Sequence, residues 1–237
     1  MNIALIGYGK MGRAIEIIAR QKNHKIVLTI TSANADYFTA ENLGKADVAI
    51  EFTNPGSAAS NIISCLRAGI PVISGSTGWL AEYDSVSGVC KETNGTLLYA
   101  SNFSIGVNIF FELNKKLAAL MKDQDYSVMI EEIHHTQKKD APSGTAITLA
   151  EQIMTESPVK KEWVNRVSSD PAQLSIVSRR IDPAPGTHYV RYSSPMDEIE
   201  IIHNANSRQG FALGAVMAAE FVSDKKGIFN MADVLQL

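Results

Sequence analysis

The feature that most constrains the fold is a glycine-rich turn between a short apolar segment and a helical pattern. Asn2 to Ile6 is apolar and has the length of a buried strand. It is followed at once by Gly7-Tyr8-Gly9-Lys10-Met11-Gly12, after which Ile15 and Ile18 continue at helical spacing. The chain therefore opens with a strand, a tight turn and a helix, which is how a parallel α/β sheet begins.

The three glycines of this turn suit a bound dinucleotide. Gly7 permits the tight turn, Gly9 lets a pyrophosphate approach the backbone, and Gly12 lets the helix pack closely on the strand. The alternative is a glycine-rich turn that binds no ligand. Because this turn follows a first strand and opens a helix, we favour a dinucleotide site.

Strand and helix patterns then alternate along the first 105 residues. The predicted strands are Lys25–Ile30, 47–52, 69–74 and 96–100, and the predicted helices run from Pro55 toward Ala68 and from Leu80 to Glu92. This alternation predicts a Rossmann-like doubly wound parallel sheet. Ligands of such sheets bind at the carboxyl ends of the strands, where Gly75-Ser76-Thr77-Gly78 and Ser101-Asn102-Phe103-Ser104 are found.

The choice between NADH and NADPH rests on the end of the second predicted strand. NAD sites often carry an acidic residue there for the ribose hydroxyls. This chain has Thr31-Ser32, which neither repel a 2′-phosphate nor supply an arginine to bind one. Lys10 and Arg13 could reach a phosphate, but basic residues there are as often simply solvated. The cofactor is therefore NADPH or NADH, with a slight preference for NADPH.

The segment from Glu131 to Thr145 combines two histidines, two lysines and a helix start. A predicted strand, 126–133, leads into it, and Ser143 can cap a helix from Gly144 to about Glu156. Backbone N–H groups at that helix start favour an anion. We interpret the segment as a site that holds a carboxylate or phosphate and moves a proton. The alternative is a solvated charged loop, and a metal site is not expected because local spacing supplies no third ligand.

The remainder of the chain predicts a second domain inserted into the first. A helix is predicted over Ile105–Met121, and three strands with mostly antiparallel or mixed pairing over 174–180, 187–192 and 198–203. An alanine-rich helix over Gln209–Val222 returns the chain to the first domain. We expect residues 1–105 plus 209–237 to bind the dinucleotide, and residues 106–208 to form an α+β domain on a mixed sheet for substrate binding and oligomerisation.

Composition excludes several classes of function. The net charge is −3 and no long basic run occurs, which argues against nucleic-acid and polybasic membrane binding. No segment is apolar and long enough to span a membrane. Cys65 and Cys90 form no metal or redox motif, so reduced thiols in a soluble cytoplasmic protein are expected.

Taken together, these motifs resemble the 4-hydroxy-tetrahydrodipicolinate reductase family, also called dihydrodipicolinate reductase. The resemblance covers nearly the whole chain and is most specific over residues 132–146. It rests on Gly7 to Gly12, Glu51-Phe52-Thr53, residues 75–78, residues 101–108, Glu132-Ile133-His134-His135 with Lys138, and Asp140-Ala141-Pro142-Ser143-Gly144-Thr145-Ala146. Weaker matches are Gly186-Thr187-His188, His203, Ser207-Arg208 and Gly214-Ala215.

The resemblance implies reduction of a cyclic imine dicarboxylate by NADH or NADPH, with loss of water, in lysine and diaminopimelate biosynthesis. His134 matches the acid/base histidine that protonates the ring, and Lys138 matches the second catalytic residue. His135, Gly144 and Thr145 match substrate-binding positions.

The resemblance also implies the cofactor contacts and a homotetramer assembled through the second domain. Lys10 stands where arginine is usual, and Thr31-Ser32 replace the acidic-basic pair of some members. The positions expected to contact the cofactor are Gly7, Tyr8, Gly9, Lys10, Met11, Gly12, Thr31, Ser32, Phe52, Thr53, Gly75, Ser76, Thr77, Ser101, Asn102, Phe103 and Ser104.

Three other functions compete with this interpretation. A short-chain dehydrogenase requires a lysine four residues after a tyrosine, and no tyrosine here has one. A nucleotide sensor that binds NADPH without turnover has no need of His134 and Lys138. An unrelated amino-acid dehydrogenase would share the glycine turn but not the segment from His134 to Thr145.

Overall fold

The chain divides into two compact units. The computed structural model describes residues 1–207 and 209–237. The first unit contains Met1–Ile105 and the C-terminal segment that ends at Leu237, and the second contains Gly106–Ser207. The assignment of the dinucleotide to the first unit and of substrate binding to the second stays a prediction. Arg208, which the family resemblance also includes, lies outside the described residues.

The first unit is built on a six-stranded sheet. Its strands are β1 (Asn2–Ile6), β2 (Lys25–Ile30), β3 (Val48–Glu51), β4 (Val72–Ser74), β5 (Thr96–Tyr99) and β11 (Gly227–Phe229). Its helices are α1 (Lys10–Gln21), α2 (Ala40–Leu43), α3 (Pro55–Arg67), α4 (Tyr83–Glu92), α7 (Gln209–Val222) and α8 (Met231–Leu235), with 3-10 turns at Ser32–Tyr37 and Leu80–Glu82.

All strand pairs of this sheet are parallel, in the order β11-β5-β4-β3-β1-β2. Alternate residues of each strand enter two separate cores. Ile3 and Leu5 pack with helices α1 and α7, whereas Ala4 and Ile6 pack with α3 and α4. The predicted Rossmann-like parallel sheet with helices on both faces is confirmed, because strands covered on both faces must be apolar on both sides.

Helix α7 belongs to the first unit although it follows the whole of the second in sequence. Its buried face packs against the β1 side of the sheet and consists of Ala212, Gly214, Ala215, Val216, Ala218, Ala219 and Val222. Small side chains let this helix approach the sheet closely. The predicted return of the chain to the first unit is therefore seen.

The second unit contains a five-stranded mixed sheet. Its elements are α5 (Ile105–Met121), β6 (Ser127–His134), α6 (Gly144–Glu156), β7 (Glu162–Val164), β8 (Gln173–Arg180), β9 (Thr187–Ser193) and β10 (Glu198–Asn204). The strand order is β10-β9-β6-β8-β7, with β6, β8 and β7 parallel and β9 and β10 antiparallel to their neighbours. Helices α5 and α6 cover one face, where Ile130, Ile176 and Val190 are fully buried.

Several elements differ from the sequence predictions. Strand β6 includes His134, whereas the predicted strand ended one residue earlier and placed His134 on a loop. The three-residue strands β7 and β11 and the short helices α2 and α8 were not predicted. Elements this short carry too little periodicity to recognise, and partner strands stabilise them.

Within the described residues, no helix is both long and apolar enough to cross a membrane. Cys65 and Cys90 are free and buried on α3 and α4. Burial raises the pKa of both thiols, so neither is readily ionised.

The close approach of α7 to the first unit gives a matched pair of substitutions. A Cβ at Gly214 would lie 1.7 Å from the carbonyl oxygen of Phe103, whereas the nearest atom to a Cβ at Gly210 is 3.7 Å away. Gly214→Ala should lower the free energy of unfolding by roughly 1–3 kcal/mol or more through overpacking. Gly210→Ala should change it by less than about 1 kcal/mol. Chemical denaturation measures both, and equal effects would contradict this packing.

Candidate active site

The residues expected to bind the cofactor gather at one edge of the first sheet. They come after the carboxyl ends of five strands. Residues 7–12 follow β1, residues 31–32 follow β2, and residues 52–53 follow β3. Residues 75–77 follow β4, and residues 101–104 begin two residues after β5. Ligands of open parallel sheets bind at this edge. The structure thus brings the predicted positions of this unit together.

The glycine turn after β1 has two packed glycines and one open glycine. A Cβ at Gly7, which has φ +95°, would lie 2.1 Å from the carbonyl oxygen of Phe52, and a Cβ at Gly12 would lie 2.4 Å from that of Gly7. A Cβ at Gly9 would meet no protein atom within 4 Å. Gly7 and Gly12 are therefore required by the fold, whereas the space at Gly9 fits a close-lying phosphate.

A buried glutamate that received no role in the sequence analysis organises this edge. Glu51 has no solvent exposure and accepts hydrogen bonds from Ser74 Oγ at 2.6 Å, Ser76 Oγ at 2.9 Å and the backbone N–H of Thr53 at 3.0 Å. It thereby ties the loop after β3 to the loop after β4. The hydroxyl residues at the strand ends are the signal that could have indicated it.

Aromatic and hydroxyl side chains complete the edge. The ring of Phe52 occupies the space beside Gly75, where a Cβ would lie 2.2 Å from it, and packs against Phe103 at a centroid distance of 5.6 Å. Thr31 caps the turn after β2 by accepting the N–H of Ala33 at 3.2 Å. The Lys10 side chain is exposed at the start of α1. Hydroxyl groups and a basic side chain can contact ribose and phosphate.

In the second unit, His134 lies in a buried polar cluster with Glu132 and His188. His134 and Glu132 are two residues apart on β6 and share a face, and His188 on β9 lies opposite Glu132 in the antiparallel register. Nε2 of His134 lies 3.4 Å from Oε2 of Glu132 and 3.4 Å from Nε2 of His188. The ring of His134 also contacts buried Gly186, where a Cβ would lie 2.9 Å from Cε1.

Glu132 carries the negative charge of this cluster. Its side chain has no solvent exposure and accepts the backbone N–H of Ser143 at 3.1 Å and Nη2 of Arg180 at 3.1 Å. Burial acts to raise the pKa of this carboxyl, but hydrogen bonds with His134, His188 and Ser143 hold the pKa well below its usual range. Burial lowers the pKa of His188 despite its contact with Glu132. At neutral pH the cluster therefore contains an ionised carboxylate beside a neutral His188.

The donor atoms of Glu132, His134 and His188 lie within 4.8 Å of one another, close enough for three side chains to hold a metal ion. The sequence argument that no third ligand is at hand was wrong, because His188 comes from a distant strand. Each of these donor atoms already has a hydrogen-bond partner within the cluster or in Ser143. We therefore interpret the three side chains as a hydrogen-bonded cluster.

Lys138 lies on the loop after β6 and is held by Asp140. Its ammonium lies 2.8 Å and 2.7 Å from the two carboxylate oxygens of Asp140. Arg180 anchors this loop by donating to the carbonyl oxygens of Lys138 and Asp140 while it contacts Glu132. Arg180 had no predicted role, because its position beside His134 depends on the pairing of β6 with β8.

The predicted anion site lies at the start of α6. Ser143 caps this helix by accepting the N–H of Ala146 at 3.2 Å, as predicted, and its hydroxyl lies 3.2 Å from Nε2 of His188. Gly144 is exposed, and a Cβ there would meet no atom within 4 Å. Open space beside the first helical N–H groups suits a carboxylate. Thr145 is half-buried in the next position.

His135 does not join the cluster of His134. It is half-buried and follows the end of β6, and its Nδ1 is buried without a hydrogen-bond partner among the residues that the structure describes. On the same loop, Thr136 donates its backbone N–H and its hydroxyl to the carboxylate of Asp182. A buried ring nitrogen without a partner is available to a ligand.

Comparison with known proteins decides the family. The model of the dihydrodipicolinate reductase N-terminus matches residues 1–103, and that of the C-terminus matches residues 106–235. The chain belongs to the dihydrodipicolinate reductase family. A 4-hydroxy-tetrahydrodipicolinate reductase of Christiangramia forsetii is 52% identical over 236 residues, covering 99% of this chain and 98% of that protein. One of Methanosarcina barkeri is 39% identical over 198 residues, covering 81% of this chain and 74% of that protein.

The fold also resembles solved structures of this family. The dipicolinate-bound dihydrodipicolinate reductase of Paenisporosarcina has a TM-score of 0.80 at 21% identity, covering 98% of both chains. The predicted family resemblance is confirmed, and the chain is an oxidoreductase. The N-terminal family domain implies a nicotinamide cofactor, which the open Gly9 and the hydroxyl-rich sheet edge fit.

The open space at Gly9 makes a direct test of the cofactor edge. Gly9→Ala should leave the melting temperature unchanged, because the methyl group meets no protein atom and φ is −79°. It should raise the Kd for NADH and NADPH roughly tenfold or more by filling the space that the pyrophosphate needs. Gly88→Ala on α4 is the matched control, since its Cβ also meets nothing and lies on an exposed helix face. Calorimetric titration measures binding, and unchanged affinity in Gly9→Ala would contradict this site.

Proposed function

We propose that the enzyme reduces 4-hydroxy-tetrahydrodipicolinate to tetrahydrodipicolinate, with loss of water, in lysine and diaminopimelate biosynthesis. The observation that carries this proposal is 52% identity to a 4-hydroxy-tetrahydrodipicolinate reductase over 99% of the chain. The buried histidine cluster beside an open helix start supports it, because the reaction needs a proton donor and a site for carboxylates.

His134 is the proton donor in this proposal. A nicotinamide cofactor, when bound, supplies the hydride. His134 then donates a proton to the ring carbon next to the one that receives the hydride, so that one hydride and one proton are added together. Histidine suits this step because its pKa lies near neutral pH. The side chain of His134 is 11% exposed, so it is not fully enclosed by the protein.

Lys138 stabilises the negative charge that develops as the ring is reduced. Its ammonium is 22% exposed and is held by Asp140. A substrate that carries negative charge competes with Asp140 for the ammonium. Lys138 can exchange one anionic partner for the other, so its charge is not left buried and unpaired.

The substrate carboxylates bind at the start of α6 and beside His135. The N–H groups of Gly144 and Thr145 are among the first of the helix, where the helix dipole favours an anion. The open space at Gly144 admits a ligand to the backbone. His135 supplies a further ring nitrogen.

The cofactor proposed for the first unit is NADPH or NADH, with a slight preference for NADPH. Thr31 and Ser32 at the end of β2 place hydroxyl groups where an acidic side chain would repel a 2′-phosphate. The residues proposed to contact the cofactor are 7–12, 31–32, 52–53, 75–77 and 101–104. We also propose a cytoplasmic location.

The proposal is tested by following the absorbance of NADH and NADPH while substrate is generated from pyruvate and aspartate semialdehyde by the preceding enzyme. His134→Gln and Lys138→Ala should each lower kcat by about 10²–10⁴-fold, the usual contribution of such groups. The Kd for the cofactor should stay within about twofold of wild type, since neither residue lies in the first unit. Lys139→Ala is the matched control, because Lys139 is next to Lys138 in sequence and its own side chain is exposed.

Two outcomes would contradict this function. Oxidation of neither cofactor by the wild-type enzyme would exclude the proposed reaction. Tight NADPH binding without oxidation would favour the nucleotide-sensing alternative. Full rates in His134→Gln would leave the reaction in place but remove His134 from its role.

We further propose a homotetramer assembled through the second unit. On strand β10, the side chain of Ile201 packs against the core formed with α5 and α6. The side chain of Ile202 lies on the opposite face of the sheet and is 53% exposed. The tetramer is what the family resemblance implies, and Ile202 offers it an exposed apolar contact.

Light scattering should give the mass of four chains for the wild-type enzyme. Ile202→Lys should lower the mass, because a charge at a subunit interface loses its hydration. Val159→Lys, at another exposed apolar position, should not change it. A monomeric wild-type enzyme would contradict the tetramer.

A further inference from the structure

Glu132 and His188 have no role in the function proposed above, yet both contact the proposed proton donor. We propose that they are positioning residues that fix the orientation of the His134 ring and favour its protonated form. This inference rests on the proposed function in taking His134 as the acid. It assigns neither residue a contact with the substrate.

The first argument is the geometry around Nε2 of His134. That nitrogen lies 3.4 Å from Oε2 of Glu132 and 3.4 Å from Nε2 of His188. Within the described part of the chain, Nδ1 of His134 forms no hydrogen bond. Nε2 is therefore directed into the cluster, and Nδ1 remains for proton transfer to the substrate. The same division of the two ring nitrogens orients the histidine of a catalytic triad.

The second argument is electrostatic. Glu132 is ionised and has no solvent exposure, so its charge acts on the imidazole with little screening. An opposite charge within about 4–6 Å favours the charged form of a group. The protonated imidazole is the form that can donate a proton, and Glu132 stabilises that form.

The third argument is that Glu132 is itself held in place. Ser143 donates its N–H to both carboxylate oxygens at 3.1 Å, and Arg180 contacts Oε1 at 3.1 Å. Nε2 of His188 lies 3.7 Å from Oε2, and the same nitrogen lies 3.2 Å from the hydroxyl of Ser143. A carboxylate with several fixed donors cannot swing away when the charge on His134 changes.

The fourth argument is the packing of the His134 ring. His134 and His188 meet edge to face, with centroids 5.1 Å apart and planes at 72°. Gly186 covers another side of the ring, since a Cβ there would lie 2.9 Å from Cε1 and 3.2 Å from Nδ1. Side chains in such contacts keep one rotamer.

Other charged groups surround the cluster and do not replace Glu132. His203 on β10 lies opposite His188, and burial lowers the pKa of both rings. The loop after β6 carries Lys138 and Asp140, which pair with each other. The titratable groups facing the cluster are Lys138 and Asp140 on that loop, Arg180 on β8, His188 on β9 and His203 on β10. Among the described groups, the carboxylate that contacts His134 is that of Glu132.

The sign of the expected pH effect follows from this arrangement. Removal of the negative charge should lower the pKa of His134, so the acid form is lost at a lower pH. In Glu132→Gln, the alkaline limb of the plot of kcat against pH should move to lower pH by about one unit or more. At neutral pH kcat should fall roughly tenfold or more, with partial recovery at lower pH. KM and cofactor affinity should change little, since Glu132 contacts neither ligand.

Three further variants separate positioning from a merely structural role. Glu132→Asp keeps the charge and should retain the wild-type position of the alkaline limb, at reduced kcat. His188→Gln should lower kcat with a smaller displacement of the limb, because His188 is neutral. Glu151→Gln removes an exposed carboxylate from α6 and is the control that should match wild type. Thermal melting reports whether each variant folds.

The decisive measurement is an NMR titration of the His134 ring in the wild-type enzyme, Glu132→Asp, Glu132→Gln and His188→Gln. This measurement requires no turnover, so it can succeed or fail independently of the proposed reaction. A lower His134 pKa in folded Glu132→Gln supports the inference. If Glu132→Gln does not fold, the ring geometry and kcat profile of His188→Gln decide. An unchanged His134 pKa and an unmoved alkaline limb would overturn the inference, as would loss of activity on treatment with EDTA.

Discussion

The structure depends on one constraint, which is that a carboxyl group buried away from solvent must be surrounded by hydrogen-bonding partners. Each unit contains a glutamate with no exposure, Glu51 in the first and Glu132 in the second. Each lies at or near the carboxyl end of a central strand. Its oxygens dictate which hydroxyl, N–H or guanidinium groups surround it. The loops that carry the proposed sites are connected through these carboxylates.

The two buried glutamates differ in the chemical groups that surround them. Glu51 is bound by the hydroxyl groups of Ser74 and Ser76, and so holds together the loops of the sheet edge. Glu132 is bound by groups that include the imidazole rings of His134 and His188, which can gain or lose a proton. A change in the protonation of these rings therefore alters the hydrogen bonding of Glu132. The same carboxylate accepts the backbone N–H of Ser143, which caps α6. The first arrangement suits a binding site of fixed shape, and the second suits proton transfer.

Local sequence was sufficient for much of this architecture. The glycine turn, the strand-helix alternation and the Ser143 cap are each encoded within a few residues, and the structure has them where they were predicted. The His134 cluster could not be found in that way. Glu132 and His134 are close in sequence, but His188 reaches them through the β6–β9 pairing, and Arg180 through the β6–β8 pairing. Periodicity predicts that a strand exists, whereas its neighbours depend on the packing of the whole unit.

The discontinuous first unit has a consequence for synthesis. Helix α7 supplies buried residues to the core beside β1, and β11 closes the edge at β5, yet both are made after the entire second unit. At about 5–20 residues per second, the ribosome needs roughly 5–20 s to pass from the end of the first segment to α7. During that interval the emerging β1–β5 segment has an uncovered apolar face and an unpaired strand edge, while the second unit is being translated. The unit that begins first is thus completed last, and its N-terminal half is the part of the nascent chain that most needs protection from aggregation.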